Sequence, residues 1–229
     1  MKTIGLIGGM SWESTITYYQ VINETVKNAL GGFHSAKILM YSVDFAELEK
    51  NMSKGNWDGN AEILTDASKR LEQAGADFIV IATNTMHKLV PQIETKINIP
   101  ILHIADATAT AIKKDGHKKV ALLGTRFTMT QDFIKQRILN AGIEVIVPDE
   151  EDIRTVDNII FNELCLGQIL KTSREKYQHI IEKMKALGAE GVILGCTEIG
   201  MLISQKDSVL PVYDTTLIHA AEAAKLALM

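Results

Sequence analysis

Short apolar segments alternate with longer stretches of helical periodicity along the whole chain. The apolar segments are rich in Val, Ile and Leu with little polar alternation, which is typical of strands covered on both faces. They predict strands at Thr3–Ile7, Lys37–Ser42, Phe78–Ala82, Ile101–His103, Lys119–Leu123, Glu144–Val147, Val192–Leu194 and Val209–Tyr213. The intervening patterns predict helices at Ser14–Leu30, Asn60–Ala74, Asp106–Lys114, Gln131–Asn140, Ser173–Leu187 and Thr215–Leu228. This alternation predicts an α/β fold with mainly parallel sheets built from βαβ units.

One segment of the chain occurs twice. Residues 75–85 read GADFIVIATNT and residues 188–198 read GAEGVILGCTE, so each copy has an apolar strand followed by small polar residues. Thr83 and Cys196 occupy equivalent places, 113 positions apart. Two such strands would each bring a polar side chain to the carboxyl edge of a sheet, where open α/β sheets bind ligands. One proton carrier from each half suits a reaction that removes a proton from one face of a carbon atom and adds a proton to the other face.

The repeat extends to other strands. The letters LIG at 6–8 resemble LLG at 122–124, and IPI at 99–101 resembles LPV at 210–212. We therefore predict two pseudo-symmetric α/β lobes. The first would contain residues 1–104 and 213–229, and the second residues 105–212.

Composition and charge exclude several classes of function. The 229 residues are 46% hydrophobic and 23% charged, which is ordinary for a globular protein. A net charge of -4 gives no electrostatic reason to expect nucleic acid or an anionic membrane as partner. No apolar run reaches the roughly 18 residues of a membrane span. The chain opens on a predicted strand without a leader pattern, and its two cysteines have neither disulfide-framework nor zinc spacing. We therefore expect a cytoplasmic protein.

The turn after the first strand reads GGMSWEST at positions 8–15 and contains Met10. Its glycines would let the backbone approach a ligand, and a helix beginning around Ser11 would present N–H groups to an anion. The alternative is a tight turn with a serine cap. Neither the dinucleotide fingerprint nor the phosphate-binding loop pattern is present, so a nucleotide is not expected.

Polar residues follow both copies of the repeated strand. Thr83, Asn84 and Thr85 offer donors and acceptors to a small polar ligand, or they end the strand by bonding their own backbone. Cys196 could be a buried thiol that only packs, or its pKa could be lowered beside a helix start. Cys165 lies in a helical pattern and is predicted to pack only.

The turn after the first strand of the second half contains Thr125 and Arg126. Thr125 could hold a substrate carboxylate or amine, or it could cap the next helix. Arg126 could bind an anion or lie on the surface. His87 and His103 fall near the ligand-side ends of strands, whereas the remaining histidines are predicted in loops or on helix surfaces: His34, His117, His179 and His219. No cluster with metal-ligand spacing is present, so no metal is expected.

Four motifs in order, GLIGGMSWEST, ATNTMH, LLGTRFTM and GCTEI, resemble those of the cofactor-independent aspartate/glutamate racemases over nearly the whole chain. The resemblance implies two pseudo-symmetric α/β domains with the active site between them. It also implies an amino-acid substrate, no cofactor, two opposed acid/base residues and commonly a homodimer.

Carried over residue by residue, the resemblance implies catalysis by Cys196 as thiolate base and Thr83 on the opposite face of the substrate. Cys196 matches the second-domain cysteine, and Thr83 stands where most members carry the first, although an L-specific branch also has threonine there. The substrate-binding positions would be Met10, Met52, Asn84, Thr85, Thr125, Leu166 and Thr197.

Two of these positions bear on substrate choice. Leu166 replaces the lysine of an ELxKG-like segment, and Met52 stands where related enzymes tend to have a polar or basic side chain. Both replacements would remove ion pairs to an acidic side chain, so strict preference for aspartate is not expected.

Two other classes of function remain open at the sequence level. One is a non-catalytic protein that binds an amino acid or dicarboxylate. The other is a related enzyme with the same pair of opposed site residues, such as a hydantoin racemase, maleate isomerase or malonate decarboxylase. Exchange of the α-hydrogen with solvent and a panel of substrates would separate these classes from an amino-acid racemase.

Overall fold

The structure, a computed structural model, describes all 229 residues, Met1–Met229. The strands are β1 (Ile4–Gly8), β2 (Ile38–Ser42), β3 (Phe78–Ile81), β4 (Ile101–Leu102), β5 (Lys119–Gly124), β6 (Glu144–Ile146), β7 (Gly191–Gly195) and β8 (Val212–Asp214). The helices are α1 (Trp12–Leu30), α2 (Phe45–Ser53), α3 (Trp57–Gln73), α4 (Val90–Glu94), α5 (Ile104–Lys114), α6 (Arg126–Thr130), α7 (Asp132–Asn140), α8 (Glu150–Asn162), α9 (Lys171–Ala186), α10 (Ile199–Leu202) and α11 (Thr215–Leu228). Short 3₁₀ helices lie at Thr85–Leu89, Leu164–Leu166 and Gln205–Asp207.

The chain forms two compact units, Met1–His103 with His219–Met229, and Ile104–Ile218. The first boundary lies one residue from the predicted one. The second lies six residues beyond it, because β8 pairs with β7 and so belongs to the second sheet. Residues 213–218, which we predicted in the first lobe, are therefore part of the second unit.

The two sheets have the same topology. Their strand orders are β2-β1-β3-β4 and β6-β5-β7-β8, and every strand pair is parallel. The predicted parallel α/β fold is confirmed, and the internal repeat corresponds to two units with equivalent strands. In particular, β3 and β7, which precede Thr83 and Cys196, hold the same place in their sheets.

The first sheet is covered on both faces, as its uninterrupted apolar strands predicted. Ile4 and Leu6 pack with side chains of α1 and α11 on one face. Ile79 and Ile81 pack with side chains of α2, α3 and α4 on the other. Burial of two such faces removes apolar surface from water and supplies most of the driving force for folding.

The second sheet is built in the same way. Val120 and Leu122 pack with side chains of α5 and α7 on one face. Ala121 and Leu123 pack with side chains of α8 and α9 on the other. Alternate residues of β5 thus point to opposite faces, and both faces are buried because helices cover each of them.

Several helices were not predicted. The longest is α8, which Asp149 caps by accepting hydrogen bonds from the backbone N–H groups of Glu151 and Asp152 at 3.1 and 3.0 Å. Acidic residues in its first turn also favour a helix start, since they complement the positive end of the helix dipole. None of the helices combines the length and hydrophobicity needed to cross a bilayer.

Candidate active site

The first unit has a topological switch point between its central strands, β1 and β3. The chain leaves β1 toward β2 on one side and β3 toward β4 on the other. The carboxyl ends of such strands border the crevice in which open α/β sheets bind ligands. The N–H of Ala82 donates to the carbonyl of Ile7 at 2.9 Å, so the segment after β3 begins beside the turn after β1.

The turn after β1 is tied to the start of α1. Gly9 has φ 90°, and a Cβ at this position would collide with the backbone of Val43. Thr15 Oγ1 accepts from the Gly9 N–H at 2.9 Å and donates to the carbonyl of Ser11, the N-cap, at 2.8 Å. Met10 is 2% exposed and packs in the hydrophobic core. The tight turn with a serine cap is therefore observed, and a ligand role for Met10 stays a prediction.

The polar residues after β3 lie at the carboxyl edge of the first sheet, as predicted. Thr83 is half-buried, and Asn84 and Thr85 are buried. The Thr83 N–H donates to the carbonyl of Ile81 at 2.9 Å, and the His87 N–H donates to the carbonyl of Asn84 at 3.1 Å. The backbone on both sides of Thr83 is therefore held while the chain turns into the 3₁₀ helix.

The equivalent edge of the second sheet has Thr125 and Cys196 at the ends of two neighbouring strands. They follow Gly124 and Gly195, which face each other across β5 and β7. A Cβ on Gly124 would lie 2.7 Å from the Gly195 carbonyl oxygen, so the two strand ends approach too closely for a side chain there. Thr125 and Cys196 are both buried.

A carboxylate lies beside the candidate thiol. The Cys196 thiol donates to Oε2 of Glu198 at 2.9 Å, and the Thr197 hydroxyl donates to the same oxygen at 2.9 Å. Glu198 is only 3% exposed. Burying a carboxylate is costly unless it accepts hydrogen bonds, and the thiol and hydroxyl supply two of them.

The structure distinguishes the two alternatives that the sequence left open for the protonation of Cys196. Burial raises the pKa of the Cys196 thiol well above its usual value, and the negative charge of Glu198 raises it further. Of the two alternatives, the lowered pKa is contradicted, because the strand-end position did not show how deeply the sulfur lies or that a carboxylate faces it. At neutral pH this cysteine is a thiol that donates to Glu198.

Thr125 and Arg126 have structural partners. Thr125 caps α6 by accepting from the Thr128 N–H at 3.3 Å. The Arg126 guanidinium pairs with the Glu150 carboxylate at 2.7 Å on the surface. The capping and surface alternatives are therefore observed for these residues, and a substrate contact by Thr125 stays a prediction.

The two positions predicted to set substrate choice lie in different environments. Met52, on α2, is 7% exposed and packs in the hydrophobic core of the first unit. Leu166 is 67% exposed in the 3₁₀ helix that follows α8. Cys165, its neighbour, packs against the core cluster that includes Cys196, in line with its predicted packing role.

Three histidines of the first unit are buried together. His87 and His103 have ring centroids 4.6 Å apart, and His87 and His219 have theirs 5.6 Å apart. The prediction of His219 on a helix surface was wrong, because this face of α11 packs within the first unit. His117 of the second unit is half-buried, with Nδ1 2.6 Å from the Tyr213 hydroxyl. The structure contains no group of three or more side chains placed to hold a metal ion.

Sequence reasoning did not foresee the hydrogen bonds that Glu198 and His87 make to Cys196 and Thr83. Glu198 follows the strand-end cysteine by two positions, and His87 follows Thr83 by four. This spacing was the available signal. It carried little weight alone, because only the turn of the backbone after β3 and β7 brings each side chain back toward the strand end.

Comparisons with known proteins agree with this architecture. Among solved structures, a candidate Asp/Glu racemase from Yersinia pestis is 54% identical, with 100% of both chains covered and a TM-score of 0.93. An aspartate racemase homologue from Pyrococcus horikoshii OT3 is 39% identical over 100% of both chains, with a TM-score of 0.86. The broad specificity amino-acid racemase RacX of Bacillus subtilis (strain 168) is 22% identical over 226 residues, which cover 93% of this chain and 92% of that protein.

A family profile described as Asp/Glu/Hydantoin racemase matches residues 7–223. The match spans both units and includes all the candidate residues at the two strand ends. The chain therefore belongs to the Asp/Glu/Hydantoin racemase family.

Proposed function

We propose that this protein is an amino-acid racemase that inverts Cα without a cofactor, using one proton carrier from each unit. Membership of a racemase family and relatives named for aspartate and broad-specificity racemases support this proposal. The observation that carries it is the thiol of Cys196, bonded to Glu198 at 2.9 Å at the end of a central buried strand. A thiol with a proton acceptor in contact is a ready acid/base group.

Glu198 supplies the route by which Cys196 becomes a base. The thiol proton moves onto Oε2 of Glu198, 2.9 Å away, and leaves a thiolate. The thiolate then takes the α-proton of the L-amino acid and becomes a thiol again. A thiolate beside an ionised carboxylate would be strongly disfavoured in a buried site, so the two groups share one proton.

The electron pair left on Cα moves into the α-carboxylate, which becomes enolate-like. Oriented donors stabilise such a charge most effectively in a site that excludes water. Candidate donors at the two strand ends are Asn84, Thr85, Thr125, Thr197 and nearby backbone N–H groups. These residues are all buried, which strengthens each hydrogen bond that they make to the developing charge.

Thr83, or a water molecule that it holds, gives a proton to the opposite face and completes the inversion. The alkoxide or hydroxide that remains takes a proton from solvent, and Glu198 gives its extra proton back to solvent, so that the starting state is restored. A hydroxyl is a much poorer base than a thiolate at neutral pH. Turnover that starts from the D-enantiomer is therefore slow, although the equilibrium between enantiomers is unaffected.

The substrate is a small amino acid, without strict preference for aspartate. Met10 and Met52 are buried and apolar, and Leu166 is apolar and exposed, so none of the three supplies a charge for a side-chain carboxylate. We further propose a homodimer that works in the cytoplasm, without nucleic acid or membrane as partner.

Two measurements test the function. The protein is incubated with single amino acids, including aspartate, glutamate and homoserine, and with a substituted hydantoin, and the products are separated by chiral chromatography. Exchange of the α-hydrogen with deuterated solvent is followed in parallel by NMR. An amino acid that racemises and exchanges supports the proposal, whereas binding without exchange means a non-catalytic binding protein.

The Cys196→Ser variant tests the assigned base. We expect it to lose α-hydrogen exchange from the L-amino acid by about 100-fold or more, because a serine hydroxyl is a far weaker base. Cys165→Ser is the matched control and should keep the wild-type rate, since that thiol has no role in the proposed reaction. Persistent exchange in Cys196→Ser would remove Cys196 as the base.

A further inference from the structure

The reaction proposed above makes no use of three buried imidazoles in the first unit. His87, His103 and His219 are 1%, 4% and 0% exposed. The rings of His103 and His219 lie 4.6 and 5.6 Å from the ring of His87, centroid to centroid, at interplanar angles of 62° and 66°. His87 is therefore in contact with two other rings, and all three side chains are buried from solvent.

The hydrogen bonds of His219 define its protonation. Its Nε2 lies 2.8 Å from the carbonyl oxygen of Leu102, which can only accept, so Nε2 carries a hydrogen. Its Nδ1 lies 2.9 Å from the hydroxyl of Tyr18 and accepts from it when the ring is neutral. Burial lowers the pKa of His219 to about 4, so the ring is neutral at physiological pH. Both of its nitrogens are thus engaged, and the ring has a fixed orientation.

His87 hydrogen-bonds to the backbone of Thr83, the residue proposed to protonate the second face of the substrate. Its Nδ1 lies 2.7 Å from the carbonyl oxygen of Thr83, so Nδ1 carries the hydrogen and donates. The Thr83 N–H already donates to the carbonyl of Ile81 at 2.9 Å. Both backbone polar groups of Thr83 are therefore anchored, one of them to the strand and the other to a buried ring.

This anchoring has a directional consequence. In a planar trans peptide the carbonyl and the following N–H point in opposite directions. The bond that draws the Thr83 carbonyl toward His87 therefore turns the Asn84 N–H away from the histidine rings. It also fixes the backbone of Thr83 and with it the direction of the Cα–Cβ bond, about which the hydroxyl takes one of the staggered positions.

We propose that His87 is a positioning residue for this site: its Nδ1–H bond to the Thr83 carbonyl fixes the direction of the Asn84 N–H and of the Cα–Cβ bond that carries the Thr83 hydroxyl. His103 and His219 hold the ring of His87 by packing against it. The inference rests on the proposed racemisation, because the advantage of a fixed Thr83 lies in aligning a proton carrier with Cα.

The first test uses the unmodified protein. Long-range ¹H–¹⁵N spectra of the imidazoles report which nitrogen of each ring carries a hydrogen. We expect a protonated Nδ1 in His87 and a protonated Nε2 with an unprotonated Nδ1 in His219. A His87 ring with an unprotonated Nδ1 would overturn the proposal, whether or not any amino acid is racemised.

The second test uses a pair of substitutions at one position. His87→Leu removes the donor, whereas His87→Asn keeps one, because the Asn Nδ2 lies about where the imidazole Nδ1 does. We expect His87→Leu to lower kcat by about 10- to 100-fold, as misplacement of a reacting group does, and His87→Asn to recover most of the loss. A His87→Asn protein as slow as His87→Leu would contradict the proposal.

The carbonyl carbon shift of Thr83 provides a readout independent of activity. It should move upfield in His87→Leu, because the carbonyl loses its hydrogen bond, and stay near the wild-type value in His87→Asn. The control is His34→Gln, which changes an exposed histidine of the same unit and should keep both the wild-type kcat and the wild-type Thr83 shift. If the wild type racemises nothing, the proposed function fails, while the shift still shows whether His87 holds Thr83. An unchanged Thr83 carbonyl shift in His87→Leu would contradict the proposal that His87 positions Thr83.

Discussion

At the residue scale, the charge state of Cys196 is controlled by its surroundings more than by its own chemistry. The sulfur is buried, and its hydrogen-bond partner is a carboxylate that is itself buried. Both factors disfavour a thiolate, and so both raise the pKa of Cys196. A cysteine in this setting stays protonated at neutral pH, so it should resist alkylation and oxidation.

This arrangement predicts a slow and pH-dependent reaction of Cys196 with iodoacetamide. Only the thiolate reacts, and a raised pKa places its formation above the usual pH range, so the rate should be at least about 10-fold below that of an ordinary cysteine at pH 8 and should rise above pH 9. Glu198→Gln should shift the whole profile to lower pH, because the variant removes a negative charge beside the sulfur. The Cys165→Ser background leaves a single thiol to follow by mass spectrometry. Identical pH profiles of alkylation for the wild-type and Glu198→Gln proteins would show that Glu198 does not raise the pKa of Cys196.

At the element scale, the start of α11 depends on close packing against α10. Asp214 ends β8, and its Oδ1 accepts from the N–H groups of Thr216 and Leu217 at 2.8 and 3.2 Å, which satisfies the first turn of α11. The other carboxylate oxygen faces Gly200 of α10, where a Cβ would collide with it. Burial raises the pKa of Asp214.

Gly200→Ala should therefore destabilise the protein. The added methyl group displaces the Asp214 carboxylate from its capping position, and overpacking of this kind costs about 1–3 kcal/mol. The free energy of unfolding is measured by urea denaturation, with Met201→Ala, a partly exposed neighbour on the same helix, as control. Equal midpoints for Gly200→Ala and wild type would show that the cap does not depend on this contact.

Helix prediction at this scale succeeded where amphipathic patterns were long. The eight predicted strands and six predicted helices are present, with ends that differ by a few residues. Helices α2, α4, α6, α8 and α10 were not predicted. Three of these are only four or five residues long, too short for a periodic pattern, and α2 and α8 were recognisable chiefly by the capping residues Asp44 and Asp149.

At the scale of the whole molecule, two units of identical topology carry different chemistry at equivalent places. Thr83 follows β3, and Cys196 follows β7, at the same edge of the corresponding strand. The scaffold is thus symmetric while the proposed proton carriers are not. The proposed asymmetry in turnover comes from this single difference.

Thr83→Cys should therefore make kcat from the D-enantiomer more similar to kcat from the L-enantiomer. A thiol gives the second face a much better base, and we expect kcat from the D-amino acid to rise by about 10-fold or more. The two values of kcat/KM must remain equal, since the enantiomers have equal free energy. Initial rates are measured from each enantiomer by chiral chromatography, with Thr83→Ser, which retains the hydroxyl, as control. A Thr83→Cys protein with no gain from the D side would count against the role of Thr83.

The sequence alone determined the strands, the repeat and the position of Thr83 and Cys196 at strand ends. These properties depend on local patterns of apolar and polar residues and on comparing one segment with another. The resemblance of four short motifs to a racemase family also needed no coordinates, and the family match later agreed with it.

Only the tertiary structure decided the protonation of Cys196 and of the buried histidines, and the packing around them. Tyr18 and His219 are 201 positions apart but share a hydrogen bond, and His87 contacts both His103 and His219. Cys196 is likewise buried by packing in the core that its sheet forms with α8 and α9. Desolvation and contact act through space, so a one-dimensional pattern could show which groups were available but not which of them would meet.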